Sequence, residues 1–312
     1  MVPVLNEARN LEVILPQLPK VHQVVLVDGR STDDTVATAQ RIMPDITVVT
    51  QTRRGKGNAL TCGFAAATGD IIVMFDADCS ADPREIPAFI DALEAGADFA
   101  KGSRYVRGGG SEDITILRSA GNRALNGLAN ILMRTRYTDL CYGYNAFWRD
   151  ILPQLQLPAT DIEGVGPDER IWGDGFEIET LLACRITAAK LSVAEVPSVE
   201  QLRMFGDSNL NTFRDGVRVL RTIVAEQRGI APIAVAPAAR ASTPRPTFEV
   251  IHGSGGPAQT GHQTRVTRSG QTASWRSGQT RAAAASSRSG RLSRHHGSSM
   301  VGAAPLSAVD PE

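Results

Sequence analysis

The chain has 312 residues, enough for one large domain or two smaller ones with a substantial buried core. Its 33 Lys+Arg balance 33 Asp+Glu, which excludes a whole-molecule basic footprint for nucleic acid. The balance joins two unlike regions: from Gly229 onward nine arginines and three acids give +6, and the preceding residues carry −6. Cys62, Cys79, Cys141 and Cys184 form no CxxC pair and no Cys/His cluster, which argues against structural zinc and a disulfide framework and fits a reducing cytoplasm. No stretch approaches the roughly 18 apolar residues of a membrane span. The opening MVPVLNEARN shows neither a basic nor an apolar leader region, so no export is expected.

The first strand is expected over 2–5, shorter than its neighbours, as if the chain starts a few residues late. A helix is expected over 7–18, then a strand at 23–28 (QVVLVD), a helix over 32–43 and a strand at 46–50 (ITVVT). Ser31 is placed to cap the second helix, with Asp33 and Asp34 in its first turn. Further helices are expected over 56–67 and 83–95, with Pro83 at a first helical position, and strands at 71–76 (IIVMFD) and 98–102. Continuously apolar strands are those covered on both faces of a parallel sheet. Beyond these, helices are expected over 116–134, 176–190 and 210–226, with a short strand at 191–196. The last helix sets Phe213, Val217, Leu220 and Val224 on one stripe beside Arg214, Arg218 and Arg221. That pattern suits a core-facing helix with a solvated basic flank, or a helix lying in an anionic membrane interface. The expected organisation is an α/β domain over 1–227, a mainly parallel sheet flanked by helices. Residues 228–312, rich in Ala, Ser, Gly and Arg without periodicity, are expected to be a disordered tail.

Chemistry concentrates where strands end. Asp76-Ala77-Asp78 follows the apolar strand, at the position where open α/β sheets bind ligands. Two carboxylates two residues apart there can hold a hard divalent cation, Mg²⁺ or Mn²⁺, that also bridges diphosphate oxygens. Asp28 ends its own strand and suits hydrogen bonds from a base or ribose; no GxGxxG follows the first strand, so this is not a dinucleotide fingerprint. Gly55-Lys56-Gly57 opens a helix, and a glycine-rich helix N-terminus favours an anion, although the same residues also make an ordinary polar turn.

The segments VPVLNEARNL, VLVDGRSTDDT, GKGNAL, FDADCSADP, KGSRY, TDLCYGYNAF and GFEIETLL, in this order, resemble a family-2 glycosyltransferase with the GT-A fold. The nearest group is the polyprenyl-phosphate sugar synthases, relatives of dolichyl-phosphate mannosyltransferase, and the resemblance covers about residues 1–226. It implies that Pro3, Asn6 and Glu7 line a nucleoside pocket together with Asp28, and that Ser31, Lys56, Gly57 and Ala77 belong to the nucleotide-sugar site. It implies that Asp76 and Asp78 serve the metal and diphosphate, with Asp78 the better ligand. Arg104 corresponds to a basic residue near the phosphates, Asp139 to an acid of the acceptor side, and Arg203 with Ser208 to a segment that closes over the diphosphate. The chain departs from the pattern at Cys79, where a small residue is common, at Asn145, where many relatives have Arg, and at Asn209, which replaces a usual Lys.

The implied reaction is inverting, metal-dependent transfer of a hexose from a UDP- or GDP-linked donor to polyprenyl phosphate, at the inner face of the cytoplasmic membrane with anionic lipid as a neighbour. His22 alone precedes the tail, so a hydroxyl acceptor would need a carboxylate base such as Asp139, Glu177 or Glu179. A phosphate acceptor, with a second pKa of about 6, needs none. Transfer to a saccharide or small hydroxyl stays as the alternative. A sugar-nucleotidyltransferase would want a glycine-rich loop that VPVLNEARN lacks, and an inactive binding protein would not need the intact DAD and VDGRSTDD segments.

Overall fold

The computed structural model describes residues 1–206 and 212–229. Ser208, Asn209 and the tail beyond residue 229 lie outside the described residues. In chain order the elements are β1 (Val2–Val4), α1 (Ala8–Ile14), β2 (Val25–Asp28), α2 (Thr35–Ile42), β3 (Thr47–Thr50), α3 (Lys56–Ala66), β4 (Ile71–Met74), α4 (Ile86–Glu94) and β5 (Phe99–Ser103). They are followed by β6 (Gly110–Ser111), α5 (Ile116–Met133), β7 (Asn145–Trp148), α6 (Leu152–Leu155), α7 (Ile178–Ala188), β8 (Val193–Pro197), β9 (Val199–Glu200) and α8 (Thr212–Gln227).

β1, β2 and β3 pair in parallel, with Val2 opposite Leu26 and Val25 opposite Thr47. A second ladder runs β4–β7–β5–β8, in which β7 is antiparallel to both neighbours and β5 is parallel to β8. Backbone bonds of Met1 join the two ladders: its nitrogen donates to Val73 O at 2.9 Å and its carbonyl accepts from Phe75 N at 3.1 Å. The sheet is therefore mixed at its second half, where the sequence pattern alone suggested parallel strands. β2 is buried along its whole length, as its unbroken apolar run requires. β7, NAFW, was not expected: a four-residue run opening on Asn carries too little period to read.

The main core lies between the sheet and its helices. Phe147 of β7 packs edge-on against Phe64 of α3 at 5.3 Å and stacks with Phe99 of β5 at 5.7 Å. A smaller cluster of Ala129, Tyr137, Leu140, Ala183, Val219 and Ile223 fastens α8 to α5 and α7. Arg185 of α7 reinforces it through an ion pair to Glu226 at 3.1 Å.

α5 turns both polar and apolar residues toward the protein. Asn122, Asn126 and Asn130, spaced four apart, lie on one face and hold the 137–140 loop. Asn130 donates to Tyr137 O at 2.8 Å, Asn126 accepts from Leu140 N at 2.7 Å, and Asn122 donates to Asp139 Oδ1 at 3.0 Å. Ala129 packs inward with them, and Leu125, Leu132 and Met133 lie against the same small cluster, whereas three large apolar residues point outward: Ile116 is 90% exposed, Leu117 73% and Ile131 77%. Among the described residues no helix is long and apolar enough to cross a membrane.

Candidate active site

The carboxyl ends of β1, β2 and β4 meet, since Gly29 N donates to Val4 O at 2.7 Å and Met1 bridges to β4. They open on a cleft of about 1070 Å³. Pro3, Glu7, Lys56, Asp76, Ala77, Asp78, Arg104 and Arg203 all line it. Asn6, Asp28, Ser31, Gly57 and Asp139 do not, and their bonds give the physical reason.

Asn6 adopts a left-handed φ of 59° and clips two loops together. Its Oδ1 accepts from Thr32 N at 2.7 Å, and its backbone N donates to Ser31 Oγ at 2.9 Å. The Asp28 carboxylate accepts from the backbone N–H groups of Arg30 at 3.2 Å and Ser31 at 3.1 Å, so it shapes the turn that carries Gly29 and Arg30 into the cleft. Gly57 N donates to Asp174 O at 2.8 Å, and a Cβ at Gly57 would stand 1.8 Å from Gly173 O. That contact occupies one N–H of the α3 N-terminus sketched from sequence as an anion cradle, while Gly55 and Lys56 of the same turn line the cleft. Arg53 and Asp174, 1–2% exposed, lock the same junction with bonds of 2.8 and 3.0 Å.

Asp139 is fully buried. Its two oxygens accept from Arg104 Nε at 2.7 Å and Nη2 at 3.0 Å, and from Asn122. Burial alone would raise its pKa, but the bonds and charge of Arg104 outweigh burial and hold it below the ordinary carboxylate value. A buried acid kept ionised by a bidentate partner is a poor base, and Asp139 acts here by orienting Arg104. Glu200 Oε2, 2.9 Å from Arg104 Nη1, and the Tyr142 ring, 4.8 Å beneath the guanidinium, complete that cage. Nothing in the residue pattern around Glu200 marked it beforehand.

The DAD segment carries its carboxylates into the open part of the cleft. Asp76 Oδ2 lies 2.9 Å from Lys56 Nζ, which is also 2.8 Å from Glu179 Oε1. Burial by itself would lower the Lys56 pKa, but Asp76 and Glu179 reverse that and keep the ammonium charged. Asp78 Oδ1 accepts from Ser80 N and Oγ, and its Oδ2 meets Arg203 Nη2 at 2.7 Å. Arg203 is held over the DAD loop by backbone bonds from Gln201 N to Ser80 O at 2.8 Å and from Met204 N to Asp78 O at 3.4 Å. Glu7, 4.0 Å from Arg203, has its pKa raised, chiefly by burial. Cys79 sits at φ 63°, a left-handed region that glycine adopts most cheaply. Asn145, also a departure, is buried on β7 beside Lys101 Nζ at 3.5 Å. Among the described residues no three His, Cys, Asp or Glu side chains converge as a metal cage.

The far wall of the cleft is different in kind. Ile114, Leu117, Leu125, Val217, Val219 and Leu220, from α5, α8 and the segment before α5, supply an apolar surface. Arg118 and Asn122 stand beside it, and Arg54, Arg170, Arg214 and Arg218 line the same cleft. Of these, the α8 arginines were visible in sequence as a basic flank, whereas Arg54 and Arg170 were not singled out.

A family model described as Glycosyl transferase family 2 matches residues 1–155. Polyprenol monophosphomannose synthase of Mycolicibacterium smegmatis is 33% identical over 223 residues, a match spanning 68% of this chain and 80% of that protein. Dolichol-phosphate mannosyltransferase of Pyrococcus furiosus is 29% identical over 220 residues, spanning 67% of this chain and 58% of that one. Glucosyl-3-phosphoglycerate synthase from Mycobacterium tuberculosis, solved with Mn²⁺, UDP-glucose and phosphoglyceric acid, has a TM-score of 0.56 at 22% identity over 74% of this chain and 79% of that one, a likeness of fold. On these matches, together with the cleft built around its DAD segment, the chain belongs to glycosyl transferase family 2 and is a glycosyltransferase.

Proposed function

We propose that the enzyme moves a hexose from a nucleotide-sugar, GDP-mannose or a UDP-glucose-like donor, to a polyprenyl-phosphate acceptor at the inner face of the cytoplasmic membrane, with inversion at the anomeric carbon. The observation that carries this reading is the two-walled cleft. One wall is charged and built on the DAD loop, and the other is apolar and built on α5 and α8. α5 buries Asn122 and Asn126 while Ile116, Leu117 and Ile131 stay exposed, an arrangement that favours contact with lipid over water. The two relatives named for polyprenol and dolichol phosphate support the same acceptor class.

A divalent cation fits the donor set. Asp76 and Asp78 offer hard carboxylate oxygens on one side only, which suits Mg²⁺ or Mn²⁺, ions that complete their shells with water and diphosphate oxygens. Bound there, the ion would neutralise charge developing on the departing nucleoside diphosphate. Arg203, lying between Glu7 and Asp78, adds positive charge to the same region. The acceptor phosphate oxygen forms the new bond to the anomeric carbon as the bond to the diphosphate oxygen breaks. Because that oxygen is already anionic, no proton needs removing, which agrees with Asp139 being sealed off as a base. Arg104, kept in place by Asp139 and Glu200, lines the same cleft and adds positive charge to it. The fold supports a nucleotide donor at the strand ends, and Ser208 is proposed to join Arg203 in closing over the diphosphate.

The apolar wall provides the test. Replacing Leu117 and Leu220 together by Gln should raise KM for a long-chain polyprenyl phosphate about tenfold, the scale of about 1.4 kcal/mol of lost apolar contact, while donor hydrolysis in the absence of acceptor stays within about twofold. An unchanged KM for the lipid would remove the wall from acceptor binding and favour a soluble acceptor.

A further inference from the structure

Both carboxylates of the DAD segment already hold a cation belonging to the chain. Lys56 serves Asp76 and Arg203 serves Asp78. Lys56 differs from Arg203 in having a second seat ready: Glu179 Oε1 lies 2.8 Å away, and its side chain is 5% exposed. Gly143 closes this pocket. A Cβ there would stand 3.0 Å from Asp76 Oδ2, 3.1 Å from Lys56 Nζ and 3.3 Å from Glu179 Oε1, so the missing side chain leaves the three charged atoms a common space. Charge points the same way. Glu7, Asp76, Asp78 and Glu179 face Lys56 and Arg203, a formal −2 that a single divalent ion cancels.

We propose that Lys56 is the built-in counter-ion of the metal site, shared between Asp76 and Glu179 until a divalent cation takes Asp76, and then held by Glu179 alone. The inference rests on the metal reading given above. Two consequences follow from mass action. Lys56 competes with the metal for Asp76, so metal affinity without donor is held down. The N–H that Asp76 releases can then meet the donor diphosphate, so metal and donor each tighten the binding of the other, and by equal factors. Glu179 is in this account a positioning residue that acts through Lys56, as the place to which the lysine is released.

The test is a double-mutant cycle read by Mn²⁺ titration calorimetry on the full chain, without nucleotide and then with UDP. Lys56→Met should bind Mn²⁺ about tenfold more tightly than wild type without UDP, the effect of removing one charge-assisted competitor, and should lose most of the tightening that UDP confers. Glu179→Gln, which confines Lys56 to Asp76, should bind Mn²⁺ several-fold more weakly. The double variant decides the matter, and it also avoids leaving Glu179 buried without its cation. If Glu179 acts through Lys56, the double variant matches Lys56→Met. If the two charges merely add through space, its affinity is the product of the two single effects, clearly weaker than that of Lys56→Met, and the proposal is overturned. Equal Mn²⁺ affinities across all four proteins would overturn it too, leaving the glycosyl-transfer reading intact. Failure of wild type to bind Mn²⁺ with or without UDP would remove the metal reading and this inference together.

Discussion

At the scale of single residues, burial separates the residues that reach the cleft from those that hold others in place. Asp139 was expected on the acceptor side, a carboxylate available as a base, yet every bond it makes goes to Arg104 or Asn122. Asp139→Asn keeps the shape but leaves Arg104 with Glu200 alone. It should cost about 3 kcal/mol or more of stability in a denaturant titration, the scale for breaking a buried pair from one side. The pH dependence has a definite sign. The folded-state pKa of Asp139 lies below the unfolded value, so its contribution is complete above the ordinary carboxylate range and is lost as pH falls through the depressed pKa. The variant should therefore lose the wild-type gain in stability between strongly acid and neutral pH, while the pH profile of transfer by the folded enzyme keeps its shape. Disappearance of an acid limb from kcat would instead reveal Asp139 as a base. The motifs showed which residue types gather at the strand ends, but not which of them face inward. That depends on α5, whose asparagines fix the 137–140 loop from 7 to 17 positions away in sequence.

Among the elements, the N-terminus of α3 shows how a local signal can be answered by a distant segment. Its glycines look like an anion cradle when read alone. In the fold, Asp174, more than a hundred residues later, puts its carbonyl on Gly57 N and its carboxylate on buried Arg53. Asp174→Ala should therefore unfold the 156–177 segment from α3 and cost about 3–5 kcal/mol, with limited proteolysis within that segment as the direct readout. Unaltered stability would mean that the pair is dispensable. The strands and helices of residues 1–103 were legible because their apolar runs and periods are local. β7 was not, since its four residues gain their meaning from lying between β4 and β5. α5 was legible as a helix, but the burial of its asparagines and the exposure of Ile116, Leu117 and Ile131 were not, because the pattern alone does not reveal which face meets the protein.

For the molecule as a whole, the sheet brings the DAD carboxylates to one side of a cleft, and α5 and α8 bring an apolar wall to the other. The family was readable from motif order, and the relatives agree with it. The exposure of Ile116, Leu117 and Ile131 on α5, on which the proposed lipid contact rests, became visible only in the structure. The central claim is transfer of a sugar onto a lipid phosphate, and its most direct measurement is partition of label. The enzyme is incubated with Mg²⁺ or Mn²⁺, polyprenyl phosphate, and labelled GDP-mannose or UDP-glucose in turn, and the mixture is extracted with organic solvent. The account predicts label in the organic phase with one donor, dependent on the metal and reduced at least about a hundredfold by Asp78→Ala, the scale of removing a metal ligand or charge stabiliser from an active site. Donor consumption with all label left in the aqueous phase would contradict it and direct attention to a hydroxyl acceptor.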